Sequence, residues 1–331
     1  MTNSADGGVR GNLIIGVCIV LLAGVTVLHQ VKTLGLPYLE STQLQRHQAV
    51  LDNTAPTPWQ YRILPELIVS GVLQLFSSAG VKRPVAVGFI ALRLVQNLAI
   101  FGMAALYYRR VGLGRREVVL AMAMVAWSMS HALNDSDLAI NNYFDVLFYL
   151  VAGWLVVSEK PLWILPLTAI AALNRETSAL LPLLVLSPFI LSPASIARLQ
   201  RRTLFVSFGG CLIFTAIFLG LRRYYGYRET WIWPELGVPT LQQNLGDLRT
   251  LILLFLTFNV MPILTVWQLP RLPAVLRGFF WMVVPLWITL HLVAALANET
   301  RLFLVPIALV LAPASVYHGR VPDRHRSDQL A

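Results

Sequence analysis

Apolar stretches of membrane-crossing character follow one another along most of the chain, and the longest, Leu162 to Leu191, is broken once, by Asn174-Arg175-Glu176. A spanning helix needs about 20 apolar residues to cross roughly 30 Å of hydrocarbon. This run is too long for one crossing and carries two charges at its middle, where each costs at least about 2.5 kcal/mol. The pattern predicts two short spans that meet in a polar turn at one membrane face. Counted in the same way, the spans are Asn12–Leu28, Val85–Tyr107, Val118–Leu133, Leu138–Val157, Leu162–Leu173, Ser178–Leu191, Leu204–Leu221, Leu251–Leu269, Phe279–Ala297 and Leu302–Tyr317, about ten in all. The expected fold is all-α, a polytopic transmembrane helical bundle, with residues 1–331 forming a single transmembrane domain. Its long first outer loop carries interfacial helices. The stretch Ile63–Val81 contains Pro65 and Glu66 and is less uniformly apolar, so it is expected to be interfacial or re-entrant.

Composition agrees with that pattern. Only 13% of the residues are charged and the mean hydropathy is +0.66, against about 25% charged in soluble domains. The net charge of +10 sits largely in short loops. If Ile63–Val81 does not cross, Arg109, Arg110, Arg115 and Arg116 share a side with Arg198, Arg201, Arg202, Arg271, Arg277, Arg320, Arg324 and Arg326. The positive-inside rule then places both termini and the basic tail 318–331 in the cytoplasm of a cell inner membrane. Loops of this kind attract anionic lipid headgroups, so the expected partners are membrane lipids and no nucleic acid. Cys18 and Cys211 lie inside spans and indicate no disulfide. The N-terminal stretch is too long for a signal-peptide core and is expected to stay as an anchor. The Asn134-Asp135-Ser136 and Asn298-Glu299-Thr300 sequons lie hard against spans and are not expected to carry glycans. No repeat, low-complexity tract or separate soluble domain is visible.

Sorted by side, the acids are unequal. The outer face receives Glu40, Asp52, Glu66, Asp135, Asp137, Glu176, Glu229, Glu235, Asp247 and Glu299, together with the longest loops, about 29–84 and 222–250. An outer cavity rimmed by carboxylates, Asn and Arg is the working picture. The plainer alternative is that outer loops are simply depleted of Arg.

Four pieces stand out. In Asn174-Arg175-Glu176 both flanking spans are short, which sets the turn below the membrane surface, a position tolerable only in a polar cavity. In Asn298-Glu299-Thr300-Arg301, Glu299 can orient Arg301 for bidentate phosphate binding. Asn134-Asp135-Ser136-Asp137, followed by Asn141, Asn142 and Asp145, offers two carboxylates for a divalent cation or for sugar hydroxyls; Asp137 equally suits a helix cap. In the first outer loop, Gln43, Arg46, His47, Val50 and Leu51 have helical spacing, Trp59 and Tyr61 suit the interface, and Arg62 to Glu66 follow. Its functional reading makes Glu40 or Asp52 a general base and Arg46, His47 or Arg62 phosphate ligands, with Tyr61 in the same substrate-binding set. For each piece the plain alternative is structural: an ion pair that holds a turn, snorkelling side chains, a capped helix or a surface belt. His131, His291 and His318 are isolated and read as satisfied polar residues. No P-loop, His-Glu-x-x-His, Gly-x-Ser-x-Gly or Cys-x-x-Cys motif is present.

The layout resembles the GT-C-type membrane glycosyltransferases. The matching parts are an N-terminal span, a long first outer loop with acids and amphipathic helices, and short spans with polar outer turns. The segments Trp59-Gln60-Tyr61-Arg62-Ile63-Leu64-Pro65, Asn174-Arg175-Glu176-Thr177 and Asn298-Glu299-Thr300-Arg301-Leu302-Phe303 resemble recurring pieces of bacterial multi-pass proteins of that kind. Members usually carry an acidic pair in the first outer loop, whereas Glu40 and Asp52 stand alone and apart. Many also have further spans or a soluble C-terminal domain. The resemblance implies sugar transfer on the outer face from a polyprenyl-phosphate donor. A carboxylate would act as base, Arg62, Arg175 or Arg301 would hold the phosphate, and a divalent cation at Asp135 and Asp137 is an open option. Two other classes compete: a transporter or lipid flippase that uses the same charges as a pathway, and a non-catalytic envelope-assembly protein in which Glu40, Asp52, Glu176 and Glu299 scatter rather than converge.

Single cysteines placed on a Cys18/Cys211-free background test the sidedness. Asp52→Cys, Ser78→Cys, Ser136→Cys, Thr177→Cys and Thr300→Cys should react with an impermeant thiol reagent from outside, and Gly112→Cys should not. Labelling at residue 112 with 177 and 300 protected means that Ile63–Val81 crosses.

Overall fold

The computed structural model describes residues 4–132, 137–191, 200–227 and 236–319, and over these every regular element is helical. In chain order the helices are α1 (Ser4–Leu34), α2 (Leu44–Leu51), α3 (Ile63–Ser78), α4 (Pro84–Val111), α5 (Arg115–His131), α6 (Ile140–Val157) and α7 (Ile164–Ala172). A 3₁₀ helix, Glu176–Leu186, comes next. Then come α8 (Arg201–Tyr225), α9 (Val238–Gly246), α10 (Leu248–Phe258), α11 (Met261–Gln268), α12 (Ala274–Ala294) and α13 (Thr300–Ser315).

Among the described residues five helices are long and apolar enough to cross a membrane: most of α1, and α4, α6, α8 and α12. The pair Leu248–Phe258 and Met261–Arg271, bent by 55°, makes a sixth if counted as one broken crossing. The expectation of about ten rested on apolar content, which ignores where a helix stops. Ile63–Ser78, Pro161–Ala172, Glu176–Leu186 and Thr300–Ser315 are apolar but shorter, and α5 has 17 residues and opens on Arg115, Arg116 and Glu117. The break in the 162–191 run is where it was expected, because Arg175 is extended (φ −157°, ψ 155°) and ends α7. The segment after it winds as 3₁₀, with Pro182 inside.

Burial divides the helices into an inner and an outer set. α1 turns Leu13, Val17, Leu21 and Val25 outward, and α8 turns out Phe205, Phe208 and Leu212. Water would penalise these faces by about 25 cal/mol for each Å² of apolar surface, whereas lipid does not. At the opposite extreme, every residue from Thr300 to Val316 is buried. α13 is apolar all round because it has no outward face. Its backbone is irregular: Ile307–Leu311 is a π-turn, and Pro313 has no N–H to return to the preceding carbonyls. Neighbouring hydroxyls fill the gap. Tyr107 donates to the Leu309 carbonyl at 2.9 Å, Tyr108 to Ala308 at 2.7 Å and Thr265 to Leu311 at 3.1 Å. The bend after α10 is served in the same way, with Trp127 Nε1 donating to Leu256 at 2.8 Å and Ser128 to Thr257 at 2.6 Å. Inside a bundle these bonds replace water that the carbonyls cannot reach.

The two ends of the bundle differ. At one, Arg109 donates to Asn12 at 3.0 Å, the Arg115 side chain covers Gly11, and His318 lies 3.5 Å from Glu117. The start of α1, the α4–α5 turn and the chain's last described residues therefore meet there. At the other end lie the polar turns. α3 is one unbroken helix of 16 residues lying along the first turns of α4, where a Cβ on Gly88 would come within 2.8 Å of Leu73. Its first turn stays with the polar end, since the Leu64 amide donates to the Leu173 carbonyl at 3.0 Å. The short helix expected in the first outer loop is α2. It buries His47 and Val50 and leaves Leu51 half exposed.

Gly278 of α12 sits against the Ser187 backbone so closely that a Cβ there would lie 2.0 Å from the carbonyl oxygen. A backbone oxygen cannot swing away as a side chain can. Gly278→Ala should therefore cost about 1–3 kcal/mol and lower the unfolding midpoint in detergent. Gly24→Ala, with nothing within 4 Å, should leave that midpoint unchanged.

Candidate functional site

Asp137, just before α6, is the hub of the polar end. Its Oδ2 accepts from Arg46 Nη1 of α2, and its Oδ1 from Arg301 Nη1 at 2.5 Å and from the Ala139 amide at 2.7 Å. Ala139 adopts a left-handed conformation (φ 47°), one that a side chain disfavours and that sharpens the turn into α6. The expected capping role is thus replaced: Asp137 binds the turn and two arginines rather than the first helical amides. Arg301 also donates from Nη2 to Glu299 Oε2 at 2.8 Å, so one guanidinium joins two carboxylates. Burial pushes the Asp137 carboxyl up, but Arg301, Arg46 and the Ala139 amide outweigh it and hold the group below the ordinary carboxylate range.

The second polar turn packs beside this one. Asn174 is fully buried and donates from Nδ2 to the Asn141 carbonyl at 2.9 Å, which ties the turn to the start of α6. Arg175, 5% exposed, lies 3.7 Å from Asp145 Oδ2. Asp145 is itself wholly buried and accepts from Thr177 Oγ1 at 2.6 Å. Glu176 Oε2 accepts from Arg62 through Nη2 at 3.0 Å and Nε at 3.3 Å. Four sequence-distant pieces therefore interlock, each contributing one sign of charge to another.

Between them lies a cavity of about 730 Å³. Its polar lining includes Arg62, Asp137, Arg175, Glu176, Glu299 and Arg301, and Leu290, Ala294, Leu296 and Leu302 form an apolar wall. A second chamber of about 200 Å³ shares Trp59, Arg62, Asp137 and Asn141 with it and adds Gln43, Arg46 and Glu66. The loop over both is stiffened by buried Gln60, which donates to the Val50 carbonyl at 3.0 Å and accepts from the Ala55 amide at 3.2 Å.

Not every expected residue takes part. Arg46, Arg62, Asp137, Arg175, Glu176, Glu299 and Arg301 line one chamber or the other, and Asn174 supports them from behind. Glu40 lines neither: both its oxygens accept from Arg83, at 2.8 and 2.6 Å, which also lowers its pKa. Asp52 is exposed at the end of α2 and lines neither. His47 is buried, with Nδ1 2.5 Å from Glu66 Oε2 and Nε2 3.3 Å from Ser70, and so faces protein rather than a ligand. Tyr61 turns away to donate to the Gly226 carbonyl at 2.9 Å, with Arg222 4.4 Å from its ring centroid. Asp135 lies outside the described residues. Asp137, the other carboxylate of the cation option, spends both its oxygens on arginine and backbone N–H groups.

Beneath the site is a residue that the sequence reading passed over. Arg93 of α4 is completely buried, its guanidinium 3.6 Å from the centroid of the Tyr143 ring and without a hydrogen bond to the described residues. A lone Arg inside a long apolar span, with Gln96 and Asn97 on the same face, was the available signal. Tyr143 in turn accepts from Gln30 at 2.6 Å, and Gln96 donates to the Ile140 carbonyl at 2.8 Å. This polar seam under the α6 start joins α1, α4 and α6.

Compared with protein-family models, with curated proteins and with solved structures, the chain matches none.

The Asp137 hub has a pH signature. A depressed folded pKa means that its stabilisation is complete above the unfolded value of about 3.9 and is lost as pH falls through the folded value. The unfolding midpoint in detergent should hold from pH 7 to 5 and drop below about pH 4. Asp137→Asn should cost about 3–5 kcal/mol at pH 7, as expected for a buried pair that loses one partner, and should flatten the acid limb. An unchanged midpoint in this variant would mean that the hub does not hold the turns together.

Proposed function

We propose that this chain is a membrane glycosyltransferase of GT-C-like layout that moves a sugar from a polyprenyl-phosphate donor to an envelope acceptor. The outer face of a cell inner membrane would carry the site, with both termini cytoplasmic. The observation that carries the reading is the large cavity. Its volume is that of a small-molecule site, and it combines three arginines, three carboxylates and an apolar wall. Arg suits a planar, bidentate grip on phosphate, and the wall suits a prenyl chain entering from lipid. The gathering of the Arg109–Arg116 turn with Asn12 and His318 at the opposite end supports a basic cytoplasmic side. On this topology α3 stays on the outer side, and α5 with the short apolar helices Pro161–Ala172, Glu176–Leu186 and Thr300–Ser315 brings the count toward the ten crossings that the sequence implies.

In the reaction an acceptor hydroxyl oxygen attacks the anomeric carbon. The bond from that carbon to the donor phosphate oxygen breaks, prenyl phosphate leaves with the electron pair, and a carboxylate takes the hydroxyl proton. Arg62, Arg175 and Arg301 offset the charge that grows on the leaving phosphate. Among the lining acids, Glu299 is the best base by geometry. Asp137 is held by two arginines and Glu176 Oε2 by two N–H groups of Arg62, whereas Glu299 accepts a single N–H, from Arg301. Glu40 and Asp52, the bases expected from the sequence, lie outside the cavity.

Turnover of lipid-linked sugars by the reconstituted protein tests this. Glu299→Gln should lower transfer by about 10²-fold or more and Arg62→Ala should weaken donor use, while Glu40→Gln and Asp52→Asn stay near wild type. Loss confined to Glu40→Gln or Asp52→Asn would move the chemistry elsewhere, and no consumption of any lipid-linked sugar would remove the reading.

A further inference from the structure

His291 differs from the other polar groups of the large cavity in how its ring is held. On α12 it follows Trp287 by one turn, and its Nδ1 lies 2.9 Å from the Trp287 carbonyl oxygen. A carbonyl oxygen only accepts, so Nδ1 carries the proton and Nε2 is the nitrogen able to accept. The imidazole stacks on the Trp287 indole, with centroids 5.2 Å apart and planes 20° apart, and meets Phe303 at 5.8 Å. The indole is itself fixed, because its Nε1 donates to the Leu302 carbonyl at 2.7 Å and its ring meets Tyr149 edge-on at 5.3 Å. His291 is 5% exposed yet lines the cavity, and among the described residues Nε2 has no hydrogen-bond partner. A ring pinned on one face and at one nitrogen leaves the other nitrogen with a defined direction and an unmet acceptor.

The charged groups around it have partners. Arg62 holds Glu176, Arg301 holds Asp137 and Glu299, and Arg175 faces Asp145. A lone pair has the opposite preference to a guanidinium: it repels the free oxygens of an ionised phosphodiester, which only accept, and welcomes a hydroxyl hydrogen. The cavity therefore distinguishes the two parts of a sugar phosphate.

We propose that His291 Nε2 accepts a hydrogen bond from a hydroxyl of the transferred sugar. This positioning contact sets the substrate with its hydroxyls toward α12 and its phosphate toward Arg62, Arg175 and Arg301. The hydroxyl keeps its proton. The proposal rests on the sugar-transfer reading of the cavity and adds to it the orientation and a specificity contact.

Nitrogen NMR of the full-length protein in nanodiscs, with ¹⁵N-histidine and His291→Gln for assignment, tests the contact apart from turnover. At pH 7 His291 should show a protonated Nδ1 and an unprotonated Nε2. Its Nε2 resonance should move on addition of free mannose, glucose or galactose and stay in place with dimethyl phosphate, a diester that has no P–OH. A proton found on Nε2, or a resonance that no sugar moves, overturns the proposal. In turnover, His291→Phe should lower transfer on the order of tenfold or more, while His291→Gln, whose amide oxygen can accept, regains most of it. Equal losses in the two variants, or none in His291→Phe, also overturn it. If the wild-type protein consumes no lipid-linked sugar, the functional reading fails by itself and the nitrogen response to free sugars still decides the contact.

Discussion

A guanidinium removed from water is costly unless its charge is offset, by a carboxylate at Arg175 and Arg301 and by the Tyr143 ring at Arg93, and that constraint organises the polar end of this bundle. Arg46, Arg62, Arg175 and Arg301 come from three separate parts of the chain, and each is met by a carboxylate from another part or from its own turn. Asp137 satisfies two of them at once. The loop between α1 and α3, the α6 entry and the α13 entry are therefore locked to one another through a single side chain. The Arg62–Glu176 pair ties the same loop to the turn that ends α7. Breaking the hub leaves Arg46 without its carboxylate and Arg301 with Glu299 alone, so the cavity and the packing of these ends stand or fall together.

The apolar interior obeys the same accounting for backbone groups. Where Pro313 and the π-turn interrupt α13, tyrosine hydroxyls of α4 and a threonine of α11 supply the missing hydrogen bonds. Where α10 breaks from α11, a tryptophan and a serine of α5 do so. These side chains make irregular backbone tolerable deep in the bundle and fix the rotation of their helices. The buried α13 is consequently a rigid post, and Glu299 and Arg301 at its upper end are held without a long loop. A site built on helix ends rather than on loop tips keeps its charges in register for a ligand.

The functional reading draws on both features. Carboxylates bound by arginine remain ionised but lose basicity, so the least encumbered, Glu299, is the one suited to take a proton. The arginines are partly offset by those same acids, so the site is not uniformly positive. His291, pinned by Trp287, adds a neutral acceptor among them.

Much of this was legible in the chain itself. The helical class, the interruption at Asn174-Arg175-Glu176 and the gathering of polar turns follow from the cost of placing charge in hydrocarbon, which acts locally and shows in the pattern of residues. The number of long helices was not legible, because apolar content continues through prolines, 3₁₀ turns and bends that shorten a helix without changing its hydropathy. Nor was the division of labour among the acids. Glu40 and Asp52 look like Glu176 and Glu299 in sequence, and only the fold brings Arg83 to Glu40, leaves Asp52 facing solvent and closes Asp137 between Arg46 and Arg301. His291 is an isolated histidine until Trp287 fixes its tautomer and the α12–α13 turn opens a cavity beside it. The sequence by itself determined which segments avoid water and which residues are too polar for lipid, since those are transfer free energies of individual groups. Which charge meets which, and which polar atom is left to face a ligand, depends on distances between residues far apart in the chain, and only tertiary packing decided those.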